Sequence, residues 1–181
     1  LGRGIRGRAP AKQESFVITE ALEGMISLEQ LTQRWGTLAF QKRVFLKREL
    51  IRQVANIAKT IHSNGLNHRD FYLCHFLVKD RDWSQWQTEN SLTLHLIDLH
   101  RMQIRSIVPK RWWIKDLTGI LFSSLNCGLT RNDLLRFSKI YWGCSLRELC
   151  KERSNVLWRV YQKSRRLYVS IHSKDAPKLV T

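Results

Sequence analysis

Two acids, set 28 positions apart, are the residues in this chain best placed to do chemistry. Asp70 is third in the run His68, Arg69, Asp70, and His75 follows five positions later, inside IHSNGLNHRDFYLCHFLV (61–78). Asp98 stands inside LTLHLIDLHR (92–101). Each acid borders an apolar, β-rich segment: Leu73 to Val78 for the first, Leu92 to Leu99 for the second. The spacing predicts a hairpin of these two segments that brings Asp98 beside His75. One carboxylate to take a proton and another to hold a divalent cation would suit phosphoryl transfer. That reaction asks for positioning and charge neutralisation more than for covalent chemistry. The competing reading is a charged turn ahead of a core strand.

Protein kinases place an Asp in H-R-D-x-x-x-x-N to take the acceptor proton, and a second Asp, in D-F-G, on Mg²⁺. Here His75 stands where that pattern has Asn, and Asp98-Leu99-His100 stands where D-F-G would be. A neutral imidazole offers one nitrogen to a metal or to the Asp70 region. Nitrogen is softer than the oxygens Mg²⁺ prefers, so His75 belongs to the site more firmly than to the metal. His68 and Arg69 are expected to shape the loop. Tyr72 is expected as a packed ring near its mouth.

His68, Arg69, Asp70, Tyr72, Cys74, His75, Phe76 and Leu77 match an H-R-D-x-Y-x-C-H-F-L type loop, and the stretch resembles the lipopolysaccharide core heptose kinase family. SFVITEAL (15–22) resembles that family's hinge segment. Ile97, Asp98, Leu99 and Arg101 resemble its metal-binding segment, and Lys115, Asp116, Leu117, Gly119, Leu121, Phe122 and Ser123 the helix that follows. The resemblance implies an α+β, protein-kinase-like fold: a mostly helical C-terminal lobe with a catalytic-loop β-hairpin. It implies ATP and Mg²⁺ as cofactors, with Asp70 as base, supported by His68 and Arg69. Asp98 and His75 would serve the metal. Glu20, Ala21 and His75 would serve the nucleotide. The implied acceptor is a heptose of the lipopolysaccharide inner core, met by a peripheral enzyme at the cytoplasmic face of the inner membrane of Gram-negative bacteria. The alternatives are another lipopolysaccharide sugar such as Kdo, a protein side chain, or an inactive remnant of such a kinase.

A kinase of this kind also needs a Gly-rich loop and a strand Lys ahead of the hinge. Only fourteen residues precede Ser15. Gly2, Gly4 and Gly7 are followed by Ala9 and Pro10 rather than by a strand. Residues 1–22 are therefore expected to be a linker and hinge strand from an N-terminal lobe that is largely absent, and 23–181 the C-terminal lobe.

The elements that must position the acids are legible in the apolar spacing. Ser15 to Glu20 predicts a strand, and Leu1 to Gln13 a loop. Ser27 is a candidate N-cap for a helix to about Trp35. Val44, Leu50, Ile51, Val54, Ala55, Ile57, Ala58 and Ile61 predict one long helix over 40–62, stopped at Asn64-Gly65. The basic stretch 101–113 is expected as a loop, with cations for acceptor phosphates or carboxylates. A helix over 114–123 carries Asp116 on an otherwise apolar pattern. An acid there is expected to support the backbone of the catalytic loop. Thr130 to Asp133 reads as a capping box. Helices follow over 131–141, 145–153 and 156–169, with a frayed tail from Ser170. The loop 79–90, with Trp83 and Trp86, is expected to be exposed.

Lys and Arg number 31 against 15 Asp and Glu, for a net charge of +16 in 181 residues. Such a balance suits nucleic acid, an anionic membrane or a polyanionic substrate. A nucleic-acid module would leave two acids in a phosphate-binding groove without purpose, so nucleic acid is not expected as a partner. The four cysteines form no C-x-x-C pair, and Cys74 is expected as a small buried hydrophobe in its strand. The apolar runs predict no transmembrane segment.

Overall fold

The computed structural model describes residues 2–6, 14–18, 20–80 and 92–180. Gly7, Thr19 and the tryptophans at 83 and 86 lie outside the described residues. Strands β1 (Gly2–Arg6) and β2 (Glu14–Ile18) pair antiparallel, Gly2 opposite Ile18 and Arg6 opposite Glu14. Gly2 and Gly4 thus lie in a strand, where a loop was expected.

β3 (Met25–Ser27) leads into α1 (Leu28–Arg34) through the Ser27 cap. Ser27 Oγ accepts from Gln30 N at 3.2 Å, and Ser27 N donates back to Gln30 Oε1 at 2.9 Å, so two orphan donors of the first turn are satisfied. A 3₁₀ turn, Trp35–Thr37, carries the chain past Gly36. α2 (Phe40–Ser63) is the spine of the fold, with Leu46, Leu50, Val54, Ala55 and Ala58 on its buried stripe.

Gly65 ends α2 with φ of 77°, and its carbonyl accepts from Arg105 N at 2.8 Å. β4 (Leu66–Asn67) then pairs with β7 (Gln103–Ile104). Between them lie β5 (Phe76–Lys79) and β6 (His95–Leu96), which join β3 in a three-stranded antiparallel sheet ordered β3-β5-β6. The expected hairpin is present but shorter than its sequence pattern. Leu73–His75 is a 3₁₀ turn, because Leu73 N donates to the Ser123 hydroxyl at 3.0 Å and His75 N to Tyr72 O at 3.0 Å. Donors spent in a turn cannot enter a ladder, so pairing starts at Phe76. Cys74 accordingly lies in the turn and is half-buried. At the other end, Asp98 takes a left-handed conformation (φ 63°, ψ 50°), which ends β6 and opens a 3₁₀ turn, Leu99–Arg101.

α3 (Lys110–Ser124) starts one turn earlier than its apolar pattern, directly after Pro109. α4 (Arg131–Trp142) begins at the expected Thr130–Asp133 capping box and packs on α2. Lys47 of α2 reaches Asp133 at 2.7 Å. A short helix α5 (Leu146–Glu148) runs through a π turn (Leu149–Arg153) into α6 (Ser154–His172), which packs on α3. There Ser164 Oγ, fully buried, donates to Thr118 O at 3.0 Å. The tail is not frayed: α6 runs to His172, Ala176 is buried, and Val180 N donates to Leu129 O at 2.9 Å. Phe71 and Phe76 meet edge to face at 4.9 Å, both buried beneath the loop that carries Asp70.

A Cβ on Gly65 would stand 1.8 Å from the Arg105 carbonyl oxygen, on a backbone that L side chains rarely adopt. Gly65→Ala is therefore expected to cost more than about 3 kcal/mol, with a large fall in the urea midpoint. A midpoint close to that of the parent would show that the turn yields without loss.

Candidate functional site

Asp116 is 1 % exposed, yet its carboxylate is well occupied. Oδ2 accepts from His68 N at 2.8 Å, and Oδ1 accepts from Arg69 N at 2.8 Å. Oδ2 also faces His62 Nε2 at 3.1 Å. A carboxylate only accepts, so that nitrogen carries a hydrogen, and His62 Nδ1 lies 2.8 Å from the Tyr141 hydroxyl. Burial pushes the Tyr141 phenol well above its ordinary range, and the Asp116 charge adds to this, so the hydroxyl stays a donor. Asp116 thus supports the loop as its place on the helix suggested. Arg69 stands at φ of 76°, a strained value for a side-chain-bearing residue, and the Asp116 bond to its N–H helps to hold it there.

His68 is fully buried and donates from Nε2 to Ile97 O at 3.0 Å, which ties the loop to the segment that ends in Asp98. Its ring stacks on His75 at 5.8 Å. Burial holds the His68 pKa below the ordinary imidazole value, against the bond to Ile97 and the charges of Asp116 and Asp70. His75 joins the two acids. Its Nδ1 lies 2.6 Å from Asp70 O, its own carbonyl accepts from Ile97 N at 3.0 Å, and its Nε2 lies 3.3 Å from Asp98 Oδ2. Arg101 closes the cluster on the other side, with Nη1 at 2.9 Å from Asp70 Oδ2 and 3.2 Å from Oδ1. The second carboxylate oxygen, Asp98 Oδ1, meets His100 Nδ1.

The structure therefore brings together His68, Arg69, Asp70, His75 and Asp98. Glu20 and Ala21 are exposed in the irregular stretch between β2 and β3, and no hydrogen bond among the described residues joins them to the cluster. Tyr72 is half-buried, with its ring against Phe122 and His75. Arg101 was grouped by sequence with the metal-binding segment, and its pairing with Asp70 went unread. Its place three residues after Asp98 was the available signal. His62, at the end of the long helix, carries no sequence pattern that marks its contacts with Asp116 and Tyr141.

The donor set fits a cation. A carbonyl accepts only, so His75 Nδ1 donates to Asp70 O, while Nε2 and the Asp98 carboxylate stand side by side at 3.3 Å. Among the described residues no group of three or more His, Cys, Asp and Glu could hold a metal ion. Mg²⁺ asks for less from the protein, one or two carboxylates beside substrate phosphates. Away from the acids, an apolar cavity of about 450 Å³ is lined by Leu28, Leu50, Val54, Leu117, Leu121 and Phe137, among α1, α2, α3 and α4.

The sequence model of the lipopolysaccharide kinase (Kdo/WaaP) family matches residues 1–141. The chain is 42 % identical over 167 residues to the lipopolysaccharide core heptose(I) kinase WaaP of Escherichia coli K12, covering 92 % of this chain and 61 % of that protein. It is 42 % identical over 166 residues to the protein of the same name from Pseudomonas aeruginosa, covering 91 % of this chain and 60 % of that one. The solved structure of WaaP in complex with acyl carrier protein matches with a TM-score of 0.77 at 39 % identity, covering 92 % of this chain and 67 % of that chain. The chain thus spans about three fifths of the length of these curated relatives.

The burial of His68 makes a pH signature. Its folded pKa lies below its unfolded value, so the unfolded chain binds the proton first as pH falls. The stability it contributes is present above the unfolded value, about 6.5, and is lost as pH falls below it. His68→Gln keeps a donor near Nε2 and removes the titration. The expected result is that the variant loses less stability than the parent between pH 7.5 and pH 5, read by urea unfolding. Equal losses would overturn it.

Proposed function

The chain belongs to the lipopolysaccharide kinase (Kdo/WaaP) family, and on that premise we propose that it transfers the γ-phosphoryl group of ATP to a heptose of the lipopolysaccharide inner core. The observation that carries this reading is the convergence of Asp70, His75 and Asp98 on one braced loop pair. Identity to two heptose(I) kinases favours heptose over Kdo among lipopolysaccharide sugars.

In this reading Asp70 is the base. Arg101 holds its carboxylate in place, and the 16 % exposure of that side chain leaves it open to an acceptor hydroxyl. The sugar oxygen bonds to the γ-phosphorus, the bridging β–γ bond breaks toward ADP, and the hydroxyl proton passes to Asp70 Oδ. Asp98, with His75 beside it, would hold Mg²⁺, which when bound neutralises charge on the phosphates. His75 keeps the Asp70 backbone and the Asp98 carboxylate at a fixed separation through its ring. His68 and Arg69 position the loop. The nucleotide contact proposed for Glu20 and Ala21 rests on the resemblance of 15–22 to a hinge.

The proposed setting is the cytoplasmic face of the inner membrane, with the enzyme bound peripherally. Its support is the net charge of +16 and the exposed Ile104 and Ile107 in the basic stretch. Acyl carrier protein, the companion of the solved relative, is proposed as a partner here too. The cavity supports that partnership, since its apolar lining suits an acyl chain.

Asp70→Asn keeps size and loses the proton acceptor. In a version extended to the full length of the curated relatives, its expected effect is a fall in turnover of about 10²- to 10⁴-fold with nucleotide binding nearly intact. Asp98→Asn is expected to weaken Mg²⁺–ATP binding as well as rate. The checks are phosphate transfer from labelled ATP to dephosphorylated core lipopolysaccharide and a binding titration. Turnover of Asp70→Asn near the parent rate would sink the assignment of the base.

A further inference from the structure

Trp112, on the first turn of α3, collects four cations. The guanidinium carbons of Arg69, Arg111 and Arg105 lie 5.2, 5.3 and 6.0 Å from its ring centroid, and Lys115 Nζ lies at 6.0 Å. They come from three parts of the fold: the catalytic loop, the end of β7 and the start of α3. Among the described residues none of the four pairs with a carboxylate, whereas Arg101 nearby is paired with Asp70. Arg105 Nη2 donates only to the neutral Gln103 Oε1, at 2.7 Å. Three buried donors among them, Arg69 Nε, Arg105 Nε and Trp112 Nε1, find no acceptor among the described residues.

An indole ring attracts cations, yet it carries no net charge to neutralise four of them. Four like charges and three unspent donors ask for a ligand with several negative oxygens. Resting on the phosphotransfer reading above, we propose that Arg69, Arg105, Arg111 and Lys115 around Trp112 form an anion site that takes the acid groups of the acceptor saccharide. Those groups are carboxylates or phosphates on the sugars beside the one phosphorylated. The place fits the task, because Arg69 directly precedes Asp70. An acceptor anchored by its acid groups there presents a neighbouring hydroxyl to Asp70. Planar guanidinium forks suit such oxygens, and their charge-assisted bonds are the strong ones.

The test uses soluble, deacylated inner-core oligosaccharide, so that membrane binding plays no part. Arg111→Gln combined with Lys115→Gln is expected to raise the acceptor KM about tenfold or more. The KM for ATP is expected to stay within about twofold. On an oligosaccharide with its carboxyls reduced and phosphates removed, parent and variant should perform alike. Lys115→Arg alone should keep the parent KM. Arg159→Gln with Arg166→Gln, exposed on α6, removes the same charge elsewhere and should change nothing. An unchanged acceptor KM in the first variant overturns the proposal, as does an equal rise with the α6 control or on the neutralised acceptor. A defect confined to phosphatidylglycerol vesicles would assign the cluster to lipid headgroups and also overturn it. These assays use a chain extended to the full length of its curated relatives, and absence of transfer by that parent would sink the kinase reading. The anion site would then stand or fall on inorganic pyrophosphate binding in EDTA: weaker by about tenfold in the double variant if it stands, equal if it falls.

Discussion

The site depends on one buried carboxylate and the two backbone N–H groups it receives. Asp116 fixes His68 and Arg69 from below, so the next residue, Asp70, leaves the loop in a set direction. A buried charge is tolerable only when its lone pairs are filled, and here the loop amides and His62 fill them. His62 in turn is fixed by Tyr141 of α4, so the brace links α2, α3, α4 and the loop. A loop with few backbone bonds of its own thereby borrows the rigidity of three helices.

Two histidines turn that brace into a pair of acids. His68 reaches across to Ile97 and His75 reaches both Asp70 and Asp98, so three contacts join the loop to the hairpin end. Burial holds the His68 pKa below the ordinary imidazole value, and His75 Nδ1 donates to a carbonyl that can only accept. Arg101 adds a solvent-facing contact on Asp70, and His100 adds another on Asp98.

Much of this was legible in residue types and spacing. Asp116 was conspicuous as an acid on an apolar-periodic helix. The Asp98–His75 meeting followed from one apolar, β-rich segment and one alternating segment, and the Gly65 stop followed from the residue itself. What escaped were contacts between distant positions. The hydroxyl of Ser123 captures Leu73 N–H from α3 and turns an expected strand into a 3₁₀ turn. The order past Ser170 comes from burial of Ala176 and a bond to Leu129, neither of which has a local pattern. The convergence of Arg69, Arg105, Arg111 and Lys115 on one indole was likewise spread over separate segments of the chain.

The left-handed backbone of Asp98 narrows what evolution can do at that position. The conformation is open to Gly, Asn and Asp and costly to most others, while the proposed chemistry asks for a carboxylate. Glu would meet the second demand and strain the first. Asn or Gly would meet the first and fail the second. Asp alone satisfies both, so the position has no neutral neighbour in sequence space that preserves chemistry. A descendant released from selection for turnover could still drift to Asn without disturbing the turn. Asn at this place in an otherwise similar chain would then be the mark of a pseudoenzyme, folded like its parent and chemically silent.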